Sequence, residues 1–111
     1  MNLRERQQLF ARNVALLIEL IFRARHSCTL GEAYRADARD TASPVHLLHD
    51  QRLALDLIIF SPEGHLLKDT ADCRIFGDYW QKMHPDNRWG GLCSYPDPHH
   101  FEMLPPSSDG S

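Results

Sequence analysis

The stretch "HDQRLALDLIIF", His49 to Phe60, places an aspartate inside an apolar run. Leu53, Ala54, Leu55, Leu57, Ile58, Ile59 and Phe60 read as a buried strand rich in branched aliphatic side chains. A carboxylate in such a strand is costly to desolvate and requires a partner. The fold expectation is built around this strand, and the chemistry around what Asp56 is paired with.

Downstream, Ser61, Pro62 and Gly64 of "SPEG" suit the first, second and fourth places of a type I turn, and "HLLKD" would return as the second arm of a hairpin. In "TADCRIFGDYWQKMHPDNRWGG", Asp72 suits a helix cap, the helix runs to about Met83, and Pro85 stops it. Gly77 weakens that helix. The Gly90-Gly91 pair marks a turn after Trp89, "HHFEML" is a last short strand, and "PPSSDGS" is too polar to pack.

Upstream, Phe10, Val14, Leu17, Ile18 and Ile21 recur at three- and four-residue spacing, which predicts an amphipathic helix over 5–25. "CTLGEAYR" follows as a short strand, Thr29 to Tyr34, ending in Arg35, and 36–44 reads as loop. The order helix, strand, loop, strand hairpin, helix, strand predicts an α+β fold with a small, mainly antiparallel sheet and packed helices. The 111 residues suffice for one domain, expected over 1–104, with a disordered tail over 105–111.

Apolar residues make up 42% of the chain, enough for a core, and the formal net charge is -3 with scattered basic residues. That composition argues against binding nucleic acid through phosphate contacts. Cys28, Cys73 and Cys93 are odd in number and lack CxxC spacing, so they are read as reduced, small apolar residues. The run "VALLIELIF" is short, carries Glu19 and is followed by "RARHSC". It reads as neither a membrane span nor a signal peptide, so cytoplasmic synthesis without membrane insertion is expected.

Histidine is the outlier, with seven residues, four of them in two clusters: His46 with His49, and His99 with His100. A hydrolytic zinc site uses three protein ligands, and nitrogen and oxygen donors are expected where thiolates are absent. The candidates are His49, Asp56 and one of His99 or His100. A metal would supply the positive charge that a buried Asp56 requires. In "PDPHHFE", Asp97 stands three residues before His100, a spacing that can hold a proton acceptor beside an attacking water, with Glu102 as a rival carboxylate. A DxxH occurs often by chance and gains weight only from the upstream HxxRxAxD.

"HDQRLALDL", "YWQKMHPDNRWGG" and "DPHHFE" together resemble the zinc peptidases of the D-alanyl-D-alanine carboxypeptidase and L-alanyl-D-glutamate endopeptidase family, whose fold is shared by the hedgehog signalling domain. The short single-domain phage members, which act as endolysins on peptidoglycan stem peptides, are the most similar. The resemblance runs from about Phe10 to Met103. It implies one zinc ion held by His49, Asp56 and His100, with Asp97 as catalytic base. It also implies that Arg35 of "EAYR" contacts the substrate or the oxyanion. Arg52 stands where the family motif has glycine, as in phage-type "RLAxD" members. Leu47 stands where the motif serine is expected, and "ADARD" replaces the threonine and glutamine that usually follow "YR".

Glu102 is expected to hydrogen-bond a ligand histidine. Trp89 is expected to pack and to wall the substrate cleft, while His46, His65 and His84 carry no assigned chemistry. The resulting expectation is a monomeric zinc peptidase that cuts stem peptides and is released to the wall by a phage holin. The alternatives are a zinc-containing, catalytically impaired domain that binds peptidoglycan or a protein partner, and a cytoplasmic α+β protein whose histidines are structural.

Overall fold

The computed structural model describes residues 1–31 and 51–106. The expectations for His49, Arg35, His46 and Leu47, for the end of the first strand and the loop after it, and for the tail from 107 onward lie outside the described residues.

Helix α1 spans Leu3–Arg23. A capping box opens it: the Asn2 side chain accepts from the Glu5 N–H at 2.8 Å, and the Glu5 carboxylate accepts from the Asn2 N–H at 3.0 Å. At the other end Arg25 adopts φ 63°. Its N–H donates to the Phe22 carbonyl and that of His26 to the Ile21 carbonyl, the paired bonds of a Schellman motif. This reversal feeds the chain directly into strand β1, Ser27–Leu30.

Strand β2 spans Ala54–Phe60, helix α2 Thr70–Met83, strand β3 Asn87–Trp89 and strand β4 His100–Met103, with a single 3-10 turn at Gly90–Leu92. The four strands form one sheet in the order β1-β2-β4-β3, every neighbour antiparallel. The expected α+β architecture is thus observed.

Three local expectations are corrected. The helix cap is Asp69 and not Asp72, which sits in the first turn. The return arm of the hairpin shrinks to one bridge, Phe60 to Leu66, because the chain turns into α2 almost at once; the "SPEG" turn itself closes, with Gly64 N–H donating to the Ser61 carbonyl at 2.9 Å. Strand β3 lies between the Pro85 helix stop and the Gly90-Gly91 turn, where no strand is expected from the sequence, since three residues are too few to show a period of two.

Side chains on a strand alternate between faces, and cross-strand pairs share one. Leu55, Leu57 and Ile59 of β2 and Phe101 and Met103 of β4 are buried with Leu17, Ile21, Phe76 and Trp80 of the helices. Trp80 is the hinge of this packing. Its ring stands edge-on to Phe10 at 5.6 Å and to Phe101 at 5.8 Å, and its Nε1 donates to the carbonyls of both Arg88 and Glu102. Helix α2 is thereby tied to the β3–β4 ladder. The alternate face of the sheet carries Asp56, His100, Glu102 and Arg88, brought into rows by the pairs Asp56 with His100 and Arg88 with Glu102.

Candidate metal centre

Among the described residues, Asp56 is partnered by His100. Strand register sets the two side chains opposite each other, and His100 Nδ1 stands 3.2 Å from Asp56 Oδ1. The other ring nitrogen, Nε2, donates to Glu102 Oε1 at 2.6 Å, the short distance of a charge-assisted bond. Glu102 and His100 are two apart on β4, so the alternation of the strand itself places the buttress beside the ring it holds.

Asp97 completes the cluster. Its carboxylate is exposed, and one donor atom from each of Asp56, Asp97 and His100 lies within 4.8 Å of the others. The turn that brings it there is closely held. Asp97 N–H donates to the Gly90 carbonyl, His100 N–H to the Asp97 carbonyl, and His99 N–H to Asp97 Oδ1. The role of a turn residue and a place at the site are therefore compatible.

Gly90 makes this approach possible. A methyl group there would lie 2.5 Å from the Asp97 carbonyl oxygen and 2.8 Å from the His100 Cβ. The expected Gly-Gly turn is thus also the floor of the site, a role the sequence signals only as a glycine pair after Trp89.

Trp89 packs in the core, as expected. It is 1% exposed and sits beneath a groove that it lines together with Gln81, Arg88 and Glu102. Its Nε1 donates to the Pro98 carbonyl at 2.9 Å, and it supports the site by holding the 97–100 turn.

The ionisation of His100 follows from its neighbours. Burial alone would lower its pKa. The hydrogen bonds to Asp56 and Glu102, with the charges of those carboxylates, outweigh burial and raise it from 6.5 to about 9. In the protein without a metal the imidazolium serves as the cation between two carboxylates.

These donors suit zinc. Imidazole nitrogen and carboxylate oxygen are its usual ligands, and two donors at about 2.0–2.1 Å from one tetrahedral ion stand roughly 3.3 Å apart. The 3.2 Å between His100 Nδ1 and Asp56 Oδ1 matches that spacing. Glu102 on Nε2 leaves Nδ1 facing the cluster, as an outer carboxylate does for a metal-binding histidine.

His99, the alternative to His100, is half-buried, lies outside this cluster, and its Nε2 has no partner among the described residues. His65 and His84 are engaged locally, His65 through its backbone with Ser61 and His84 by accepting the Asp86 N–H. Cys28, Cys73 and Cys93 are free thiols.

Comparison with protein-family models finds no match, and comparison with curated proteins finds none. Among solved structures, the crystal structure of the Serratia marcescens L-Ala D-Glu endopeptidase ChiX superposes with a TM-score of 0.64 at 19% identity. The match covers 93% of this chain and 84% of that one. The chain has the fold of an L-Ala D-Glu endopeptidase. Just before β2, Arg52 adopts φ 58°, in the left-handed region that glycine enters freely.

Proposed function

We propose that the protein is a zinc-dependent peptidase that hydrolyses peptide bonds in peptidoglycan stem peptides. The observation that carries this reading is the juxtaposition of Asp56, Asp97 and His100, with Glu102 behind the ring, on an endopeptidase fold. Asp56 and His100 would hold the ion, with His49 as third ligand by the family motif. A bound zinc would supply Lewis-acid polarisation of the peptide carbonyl and would acidify water to a pKa of about 7.

The chain's own groups divide the remaining work. Asp97, exposed at the mouth of the cluster, accepts a proton as water attacks the carbonyl and returns it to the departing amine. Glu102 fixes the orientation of the His100 ring. Arg35 is assigned to the substrate or the oxyanion by the same motif. The phage-type "RLALD" motif supports an endolysin role.

Elemental analysis and digestion of purified peptidoglycan test the reading. Stoichiometric zinc is expected, with cleavage that a chelator abolishes and that Asp97→Ala lowers by about 10²–10⁴. Full activity in Asp97→Ala would remove Asp97 as the base. Bound zinc with muropeptide affinity and no cleavage would favour a binding domain, a reading to which Leu47 at the motif serine points.

A further inference from the structure

Beside the cluster, on the side of β4 away from Asp56, lies a groove of about 420 Å³ whose lining includes Gln81, Arg88, Trp89, Gly90 and Glu102. Glu102 is shared between the two places: its Oε1 holds His100 and its side chain lines the groove. Anything seated in the groove is therefore one strand from the reacting position, about 5 Å across the ladder.

The groove is rich in unused donors. Arg88 is exposed on the edge strand β3 and pairs in register with Glu102. The carboxylate of Glu102 is turned to His100, and among the described residues the Arg88 guanidinium has no ion-pair or hydrogen-bond partner. A guanidinium presents five N–H donors in a planar fork suited to a carboxylate. The Gln81 carboxamide accepts the Trp89 N–H through its oxygen at 3.2 Å, which leaves its NH2 group to donate. An arginine diagonal to His100 across an antiparallel pair stands at roughly 7–8 Å, the length of one peptide unit and its side chain.

We propose that Arg88, with the Gln81 carboxamide, binds a carboxylate of the substrate peptide within one residue of the scissile bond. This rests on the peptidase reading above and specifies its substrate. A glutamyl residue has two carboxyl groups, and only one can continue the chain, so a peptide cleaved next to an unmodified glutamate carries a free carboxylate within one residue of the cut. Amidation of that carboxylate removes the charge while keeping the size.

The experiment compares two synthetic stem peptides, one with the free glutamyl carboxylate and one with its amide, on the zinc-loaded full chain. Wild-type protein is expected to prefer the carboxylate peptide by tenfold or more, mostly through KM. Arg88→Ala should raise KM for that peptide at least tenfold with kcat changed by less than threefold, and should narrow the preference; Arg88→Glu should reverse it. Equal rates of the wild-type protein on both peptides would overturn the assignment with no variant needed. So would an Arg88→Ala loss that falls equally on the two peptides. Wild-type protein that cleaves neither would overturn the peptidase reading and this assignment together, whereas cleavage without discrimination overturns this one alone.

Discussion

Asp56 and His100 face each other across the β2–β4 ladder at 3.2 Å, forty-four residues apart in the chain. Neither could be placed by local structure alone. The antiparallel pairing of Ala54 with Glu102, Leu55 with Phe101 and Asp56 with His100 fixes their meeting, and a one-residue slip of either strand would send its member of the pair to the apolar face. The strength of the site is thus the strength of that register, held from behind by Trp80 on the Glu102 carbonyl.

The buttress on His100 predicts a graded metal affinity. Glu102→Gln preserves shape and weakens the charge-assisted bond to Nε2, so zinc affinity should fall about 10–100-fold. Competition with a chromophoric chelator measures it. An unchanged affinity would mean that Glu102 does not orient the ring.

The same pair of carboxylates predicts how stability depends on pH in protein stripped of metal. The folded pKa of His100 is raised from 6.5 to about 9, so its contribution is fully present below pH 6.5 and is lost as pH climbs through 9. The shift corresponds to about 3 kcal/mol. Urea unfolding between pH 6 and 10 should show this decline, and His100→Gln should flatten it. Zinc uptake should release a proton below pH 9, so affinity should also climb with pH across that range.

The fold class was legible because α1 and β2 carry clear periods, and Leu53 to Phe60 is apolar enough to be strand whatever surrounds it. Asp97, His100 and Glu102 were legible through "DPHHFE" only in combination with the upstream HxxRxAxD and the family resemblance that the two carry together. What the sequence hid is non-local. β3 is too short to show a pattern, and Trp89 looks the same whether it walls a cleft or props a turn. The site-forming role of Gly90 depends on a carbonyl seven residues away. Arg88 gained meaning only once its register with Glu102, and the engagement of Glu102 by His100, were known.

The C-terminal end of α1 offers a stabilising substitution. Arg25 occupies the left-handed place of the Schellman motif, where glycine is usual. The conformation costs a side-chain-bearing residue roughly 1–2 kcal/mol, and glycine gives back part of this in chain entropy. Arg25→Gly should therefore stabilise by about 0.5–1 kcal/mol, a rise in Tm of several degrees. Arg25→Val should lower it. A fall in Tm for the glycine variant would mean that the arginine side chain contributes more than the backbone strain removes.

Gly77 sets two effects against each other, and packing should win. It lies in the interior of α2, where alanine would improve helix propensity by about 1 kcal/mol. A Cβ there would run into the fused rings of the Trp89 indole, whose 1% exposure leaves the ring no open side to retreat to. Overpacking a filled core costs typically 1–3 kcal/mol and sometimes more. Gly77→Ala should thus be destabilising by roughly 1–2 kcal/mol net, despite the better helix former. Its effect should also reach the candidate metal site, because a displaced Trp89 loosens its bond to the Pro98 carbonyl and with it the turn that carries Asp97 and His100. Denaturant titration reads the first effect and zinc affinity the second. A variant as stable as the parent, with unchanged zinc binding, would show that the indole is not the strut between α2 and that turn.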